Sequence, residues 1–248
     1  MKPRWLVVNA DDFGRSAGVN RGIIEAHEQG IVTSASLMVR WPAAVAAANY
    51  ARRRSRLSVG LHVDLGEWAF QGGHWICVYH VVPAEDPLAV ATEVERQLSQ
   101  FLYLMGQFPT HLDSHQHVHR QEPARSILMA VAARLAVPLR DISQEVRYRG
   151  DFYGQSGDGA AYPRGISVEG LVETLRGLLP GITELGCHPG YGDGLNSTYR
   201  AEREQEVRTL CHPWIRDTVR EERLVLRSFH RDLEEMNGVP QEDQPPSA

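Results

Sequence analysis

Apolar runs and amphipathic stretches alternate along the whole chain. Trp5–Val8 is a short apolar run of the kind that forms a buried strand, and residues 17–29 place Val19, Ile23 and Ala26 at helical spacing. This succession of strand and helix is repeated along the sequence about seven times. Such an alternation predicts an α/β fold with a mostly parallel sheet and crossover helices.

The same pattern gives approximate boundaries for the elements. We predict strands at 4–9, 33–39, 57–63, 110–113, 138–142, 182–187 and 224–226, and helices at 17–29, 42–53, 88–105, 123–136, 168–179 and 199–210, with a further turn after Trp214. No linker or internal repeat divides the chain. Residues 1–236 are therefore predicted to form a single domain, and the polar tail 237–248 is expected to be disordered.

Three long stretches, 64–87, 143–165 and 188–198, are predicted to be loops. Loops of such length in a compact domain are usually functional, and the first one carries Trp68 and Trp75. A closed or nearly closed α/β barrel and an open doubly wound sheet both suit this chain. In both folds the functional site lies at the carboxyl ends of the strands.

Ionisable residues follow five of the predicted strands. They are Asp11 and Asp12, His62 and Asp64, the stretch from His111 to His119, Arg140 and Asp141, and His188 after Cys187. A single histidine at a strand end is more often a hydrogen-bonded structural residue. Five such strand ends in one sheet instead indicate a functional cluster.

Asp11 and Asp12 are adjacent carboxylates at the end of the first strand. Two like charges at this distance need a metal ion or a basic side chain beside them. Considered alone, the pair would more often cap the helix that begins near Ser16. The other strand ends favour the metal site.

The fourth strand end is the most specific signal. Its alternating residues would share one face if the strand continued; they are His111, Asp113, His115, His117 and His119. A catalytic zinc ion takes about three protein ligands and keeps one position open, so the other groups would orient the ligands. A histidine-rich surface loop without an ion is the alternative.

Composition narrows the class of protein further. A hydrophobic content of 42% allows a sizeable core, and a net charge of −5 without a long basic run argues against a nucleic-acid binder. The three cysteines are too few and too far apart for a disulfide framework or a four-cysteine zinc site. We see no signal peptide and no apolar window long enough to span a membrane. These features favour a cytoplasmic protein.

Four motifs resemble the signature set of the YdjC-like carbohydrate deacetylases, a family that includes chitooligosaccharide and hopanoid-associated deacetylases. They are Asn9–Gly14, Gly60–His62, Thr110–His119 and Cys187–Gly190, in family order. The resemblance implies a distorted (β/α) barrel. It also implies hydrolysis of the N-acetyl group of an amino sugar, such as an N-acetylglucosamine unit, to a free amine and acetate.

The resemblance assigns a role to each of the main residues. Asp12, His62 and His115 are similar to the ligands of one divalent ion, zinc or magnesium, while Asp11 resembles the general base and His188 the general acid. This agrees with the chemistry, since a metal ion lowers the pKa of bound water to about 7, a carboxylate takes its proton, and a histidinium protonates the leaving amine. Candidates for substrate contact or for orienting these groups are Asp113, His117, Arg140, Tyr153, Tyr191 and Trp68.

Three other functions use similar residues. Clusters of aspartate and histidine also suit a phosphoesterase, and two histidines with one carboxylate suit a non-haem iron oxygenase. A non-catalytic sugar- or metal-binding protein would need the ligands but not both Asp11 and Asp12. The expected partners are a small N-acetylated sugar and, in a homodimer, a second copy of the chain.

Overall fold

Strands and helices alternate in the computed structural model, which describes residues 3–230 except 72, 194 and 196. The strands are β1 (Arg4–Phe13), β2 (Ser34–Leu37), β3 (Ser58–Val63), β4 (Gly66–Gln71), β5 (His74–His80), β6 (Leu112–Ser114), β7 (Val146–Arg149), β8 (Gly181–Cys187) and β9 (Leu224–Leu226). The α-helices are α1 (Ala17–Glu28), α2 (Ala44–Ala51), α3 (Pro87–Met105), α4 (Ala124–Leu135), α5 (Val168–Arg176), α6 (Arg200–Leu210) and α7 (Pro213–Glu221).

The main sheet is parallel and has the strand order β6-β3-β2-β1-β8-β7. Strand β9 pairs with the first residues of β1, and β2 pairs with its later residues. The sheet curls into a half-barrel, which confirms the predicted distorted barrel of about seven mostly parallel strands. The carboxyl ends of its strands open on one side of the molecule, as a parallel sheet requires.

Helix α1 packs closely against the chain that follows β8. A Cβ atom added to Gly22 would lie 2.4 Å from the Cα atom of Gly190, and one added to Gly18 would lie 2.2 Å from the carbonyl oxygen of Tyr191. Only glycine permits backbones to approach this closely. The side chain of Ser16 caps α1 by accepting the N–H of Val19 at 3.1 Å, so neither Asp11 nor Asp12 is needed as the cap.

The predicted loop 64–87 contains a hairpin. Strands β4 and β5 pair in an antiparallel sheet of their own, with Gly73 at the turn in a left-handed conformation (φ 85°). The prediction of an irregular loop was therefore wrong for this segment. The hairpin stands beside the carboxyl end of the main sheet.

The strand predicted at 138–142 is absent from the described structure. Only Leu139 bridges to Leu112, because Pro138 has no N–H for a ladder and Asp141 takes a φ of 58°. The edge strand is instead β7, within the predicted loop 143–165.

The alternation predicted over 111–119 is also wrong beyond Ser114. Strand β6 ends there, and His115–Arg120 form a kinked 3-10 segment in which Gln116 and His117 have positive φ angles of 52° and 55°. The five alternating residues therefore do not share one face.

Two sequence expectations concern the ends of the chain and the membrane. The tail 237–248 lies outside the described residues. Among the helices that the structure describes, none combines the length and the apolar character needed to cross a bilayer.

Candidate active site

A bulge at the end of β1 allows Asp11 and Asp12 to serve one site. The register with β2 shifts between Ala10 and Phe13, and Asp12 has a φ of 67°. Adjacent residues of a regular strand would point to opposite faces, whereas a bulge with a left-handed residue redirects one of them. Both aspartates are buried, and both line the same cleft.

Asp12 lies between two histidines. Its Oδ1 atom is 3.5 Å from His62 Nε2 and 3.1 Å from His115 Nδ1, and one ligand atom from each of the three residues lies within 4.8 Å of the others. The Oδ1 atom is buried and accepts no hydrogen bond of acceptable geometry. A carboxylate oxygen without a donor, facing two imidazole nitrogens, fits a divalent cation.

The other oxygen of Asp12 faces arginine side chains. Oδ2 accepts a hydrogen bond from Arg203 and lies 3.8 Å from Arg15 Nη1. Burial alone would raise the pKa of Asp12, but the charges of Arg203 and His115 hold it well below its usual value. Asp12 therefore remains ionised at neutral pH, with one oxygen held by arginine and the other directed to the histidines.

His62 is oriented by a second carboxylate. Its Nδ1 atom lies 2.7 Å from Asp113 Oδ1, so Nε2 is the nitrogen that faces Asp12. A carboxylate behind an imidazole in this way fixes the ring and raises its basicity. Burial lowers the pKa of His62, but Asp113 and Asp11 outweigh this and raise it to about 10.

Asp11 has different partners from Asp12. Arg140 donates to both of its oxygens, at 2.6 and 2.7 Å, and Asn9 donates to Oδ1 at 2.9 Å. Burial raises the pKa of Asp11, and the guanidinium of Arg140 more than offsets this, so the carboxylate is ionised. Arg140 therefore bonds to Asp11, and its sequence neighbour Asp141 pairs with Arg120 instead.

His188 follows β8 and approaches Asp11. Its Nε2 atom lies 3.7 Å from Asp11 Oδ2. Burial lowers the pKa of His188 to about 4, although Asp11 and Asp12 raise it. The imidazole is therefore neutral near pH 7, and the role of His188 as general acid stays a prediction.

These groups lie in a cleft with a volume of about 480 Å³. The hairpin contributes Trp68, Phe70 and Trp75 to its lining, and Tyr153 lines it as well. His117 is also at the cleft, so three of the six residues predicted to contact substrate or to orient other groups line it: Trp68, His117 and Tyr153. Asp113 and Arg140 do not line it but bond to His62 and Asp11, which do. The volume and the aromatic lining are typical of a small-molecule site.

Tyr191 is the predicted residue that neither lines the cleft nor bonds to Asp11 or His62 among the described residues. Its hydroxyl donates to Glu25 at 2.6 Å, and the guanidinium of Arg21 lies over its ring. The backbone of Tyr191 itself packs on α1, and its ring lies beside the helix. A role in substrate contact is therefore not supported for Tyr191.

Several charged residues around this cleft were not assigned a role from the sequence. Arg15 forms an ion pair with Glu67 of the hairpin, and Glu67 also lies 3.7 Å from His115 Nε2. Arg203 of α6 forms an ion pair with Asp12. Glu184 of β8 accepts from Arg140 Nε at 2.7 Å. The only available signal was the presence of charged residues in segments predicted to pack on the sheet.

A curled parallel half-barrel with paired carboxylates and histidines at its strand ends defines an α/β protein with a buried candidate metal centre. Comparison with known families identifies it further. The chain belongs to the family of YdjC-like proteins, whose model matches residues 5–221.

Two relatives of the chain are named as deacetylases. The chain is 32% identical to a carbohydrate deacetylase of Geobacillus stearothermophilus, over 85% of this chain and 91% of the relative. It is 35% identical to a chitooligosaccharide deacetylase of Klebsiella pneumoniae, over 84% of this chain and 90% of the relative.

Solved structures support the same fold. A proposed cellobiose-phosphate cleavage protein of Enterococcus faecalis is 25% identical, with a TM-score of 0.75 over 92% of this chain and 98% of that one. A family 4 carbohydrate esterase of Streptomyces lividans is 13% identical, with a TM-score of 0.54 over 91% and 93% of the two chains, and shows only a shared fold.

Proposed function

We propose that this protein is a metal-dependent hydrolase that removes the acetyl group from an N-acetylated amino sugar, releasing acetate and a free amine. The observation that carries the proposal is the division between the two aspartates. Asp11 is held by Arg140 and faces His188, whereas Asp12 presents one oxygen without a donor to two histidines. The names of the relatives support the reaction and the class of substrate.

Asp12, His62 and His115 would hold the ion. When bound, a divalent ion polarises the amide carbonyl and lowers the pKa of water to about 7. Two nitrogen ligands favour zinc or a similar ion over magnesium. Asp113, on the far side of His62, keeps the ligating nitrogen directed at the site.

Asp11 is the group suited to take a proton from the attacking water. Arg140 keeps it ionised and fixes the positions of both oxygens. His188 is neutral at the start and lies 3.7 Å from Asp11 Oδ2, so it can receive that proton and pass it to the leaving amine. This path needs no imidazolium in the resting protein.

The walls of the cleft are suited to a sugar ring. Phe70 and Trp75 pack edge to face, with their ring centroids 5.5 Å apart, and Tyr153 also lines the cleft. Aromatic faces contact the apolar face of a pyranose, while the hydroxyl groups require polar partners. The sequence-based expectations of a cytoplasmic location and of a homodimer stay predictions.

An acetate-release assay across N-acetylated mono- and oligosaccharides, with metal analysis of the same sample, tests this proposal. We expect acetate from at least one sugar, loss of activity with a chelator, and recovery on addition of Zn²⁺ or Mg²⁺. The Asp11→Asn variant is the control for a contaminating enzyme. Release of phosphate from sugar phosphates, without acetate from any N-acetylated sugar, would support the phosphoesterase alternative instead.

A further inference from the structure

Two side chains of helix α6 bond to the backbone of His188, one at its N–H and the other at its carbonyl oxygen. The N–H of His188 donates to the carboxylate of Glu206, and its carbonyl oxygen accepts from Arg203 Nη1 at 3.3 Å. Arg203 and Glu206 are three residues apart, so they lie on the same face of the helix. Both are almost completely buried.

Glu206 also connects His188 to Tyr199 and Gly154. Its second oxygen accepts the hydroxyl of Tyr199 at 2.6 Å, and that hydroxyl accepts the N–H of Gly154, also at 2.6 Å. One buried carboxylate thus joins the end of β8, the residue before α6 and the segment around Gly154.

The imidazole of His188 has little else to orient it. Its Nδ1 atom is buried and has no hydrogen-bond partner among the described residues, and Nε2 is 3.7 Å from Asp11. The ring contacts two tyrosines edge to face: Tyr153 at 5.3 Å and Tyr199 at 5.8 Å between centroids. These tyrosines stack on each other at 4.4 Å, and Glu206 anchors one of them.

We infer that Glu206 is a positioning residue, which holds the imidazole of His188 beside Asp11. Because Nδ1 has no hydrogen-bond partner among the described residues, the orientation of the ring is set by the backbone of His188 and by its contacts with the tyrosine pair. Glu206 accepts hydrogen bonds from the N–H of His188 and from the hydroxyl of Tyr199. The inference rests on the proposed function, in which His188 protonates the leaving amine. Glu206 itself does not line the cleft and acts only through other residues.

The variant Glu206→Gln tests this inference because it keeps the size of the side chain. A glutamine replaces one of the two acceptor oxygens by a donor NH2 group, so the bond from either His188 or Tyr199 is lost or reversed. We expect kcat for acetate release to fall about 10- to 100-fold, the cost of a small misplacement of a reacting group, with KM and metal content unchanged. The control is Glu204→Gln on the same helix, since Glu204 pairs loosely with Arg208 at 3.9 Å.

A double-mutant cycle separates positioning from a general structural role. If Glu206 acts through His188, the Glu206→Gln change should alter kcat by less than about twofold in the His188→Ala background. An equal loss of kcat in both backgrounds, or full activity of Glu206→Gln, would overturn the inference. Tyr199→Phe, which removes only the hydroxyl, should show a smaller loss with the same dependence on His188 and serves if Glu206→Gln does not fold.

A measurement without catalysis keeps this inference distinct from the proposed function. The imidazole resonances of His188, assigned by comparison with His188→Ala, should shift in Glu206→Gln and stay unchanged in Glu204→Gln. A wild-type protein that releases no acetate from any sugar would refute the proposed function, while unshifted resonances in Glu206→Gln would refute the positioning role.

Discussion

Replacing Asp11 by asparagine removes the proposed base while keeping the shape of the side chain. Asparagine cannot accept a proton from water, but its carbonyl oxygen can still accept a hydrogen bond from Arg140. The three proposed metal ligands, Asp12, His62 and His115, are unchanged in this variant. Turnover should therefore be lost while the metal is retained.

The magnitude follows from the contacts of Asp11. A positioned general base contributes about 10²- to 10⁴-fold to the rate, so kcat should fall by at least about 100-fold. One of the two hydrogen bonds from Arg140 is lost, which costs about 1.5–3 kcal/mol for a bond to a charged group. Because Arg140 keeps Asp113 and Glu184 as partners, its charge is not left unpaired and the fold should survive.

The assay measures acetate release, bound metal and urea unfolding on the same preparation. Asp12→Ala is the matched control, since it should lose the metal along with activity. If folded Asp11→Asn with a full complement of metal retained more than about a tenth of the wild-type kcat, the assignment of Asp11 as base would be refuted.

Three further predictions concern other parts of the structure. His62→Ala should lose bound metal in elemental analysis, and full retention would exclude His62 as a ligand. Trp75→Ala should raise KM about three- to tenfold with kcat unchanged, and a change confined to kcat would count against a binding role. Gly22→Ala should lower the free energy of unfolding in urea by about 1–3 kcal/mol, because its Cβ would meet Gly190. In Gly177→Ala, the control, the new Cβ would meet atoms no closer than 3.5 Å, and equal unfolding midpoints would refute the packing argument.

The sequence could predict the centre of the site because of a property of parallel sheets. Strand ends meet at one edge whatever the order of the strands, so Asp11, Asp12, His62, His115 and His188 could be grouped without knowing the topology. The structure brings all five to one cleft. Their individual roles remain proposals.

The charged residues that hold the centre could not be predicted in the same way. Arg203 is 191 positions from Asp12, and Glu206 is 18 positions from His188. On a helix, charged side chains are usually assigned to the solvated face, and only tertiary contacts show that these two are buried. The pattern established the existence of α6 but not which face it turns to the sheet.

The hairpin was missed although a local signal was present. Gly72 and Gly73 separate two segments rich in aromatic and β-branched residues, and a pair of glycines between such segments favours a two-residue hairpin turn. The strand predicted at 138–142 failed for the opposite reason. Its apolar residues suit a strand, but Pro138 and the left-handed Asp141 limit its pairing to a single bridge.

The hairpin has a consequence for how substrate preference can change within this architecture. Among the described residues it shares no strand pairing with the main sheet, and the side-chain amide of Gln116 bonds to both the N–H and the carbonyl of Trp68, at 2.9 and 2.7 Å. Insertions or exchanges at its tip therefore leave the register of the barrel strands intact. One wall of the cleft can diversify, or be grafted from another protein, while the groups that handle protons stay in place.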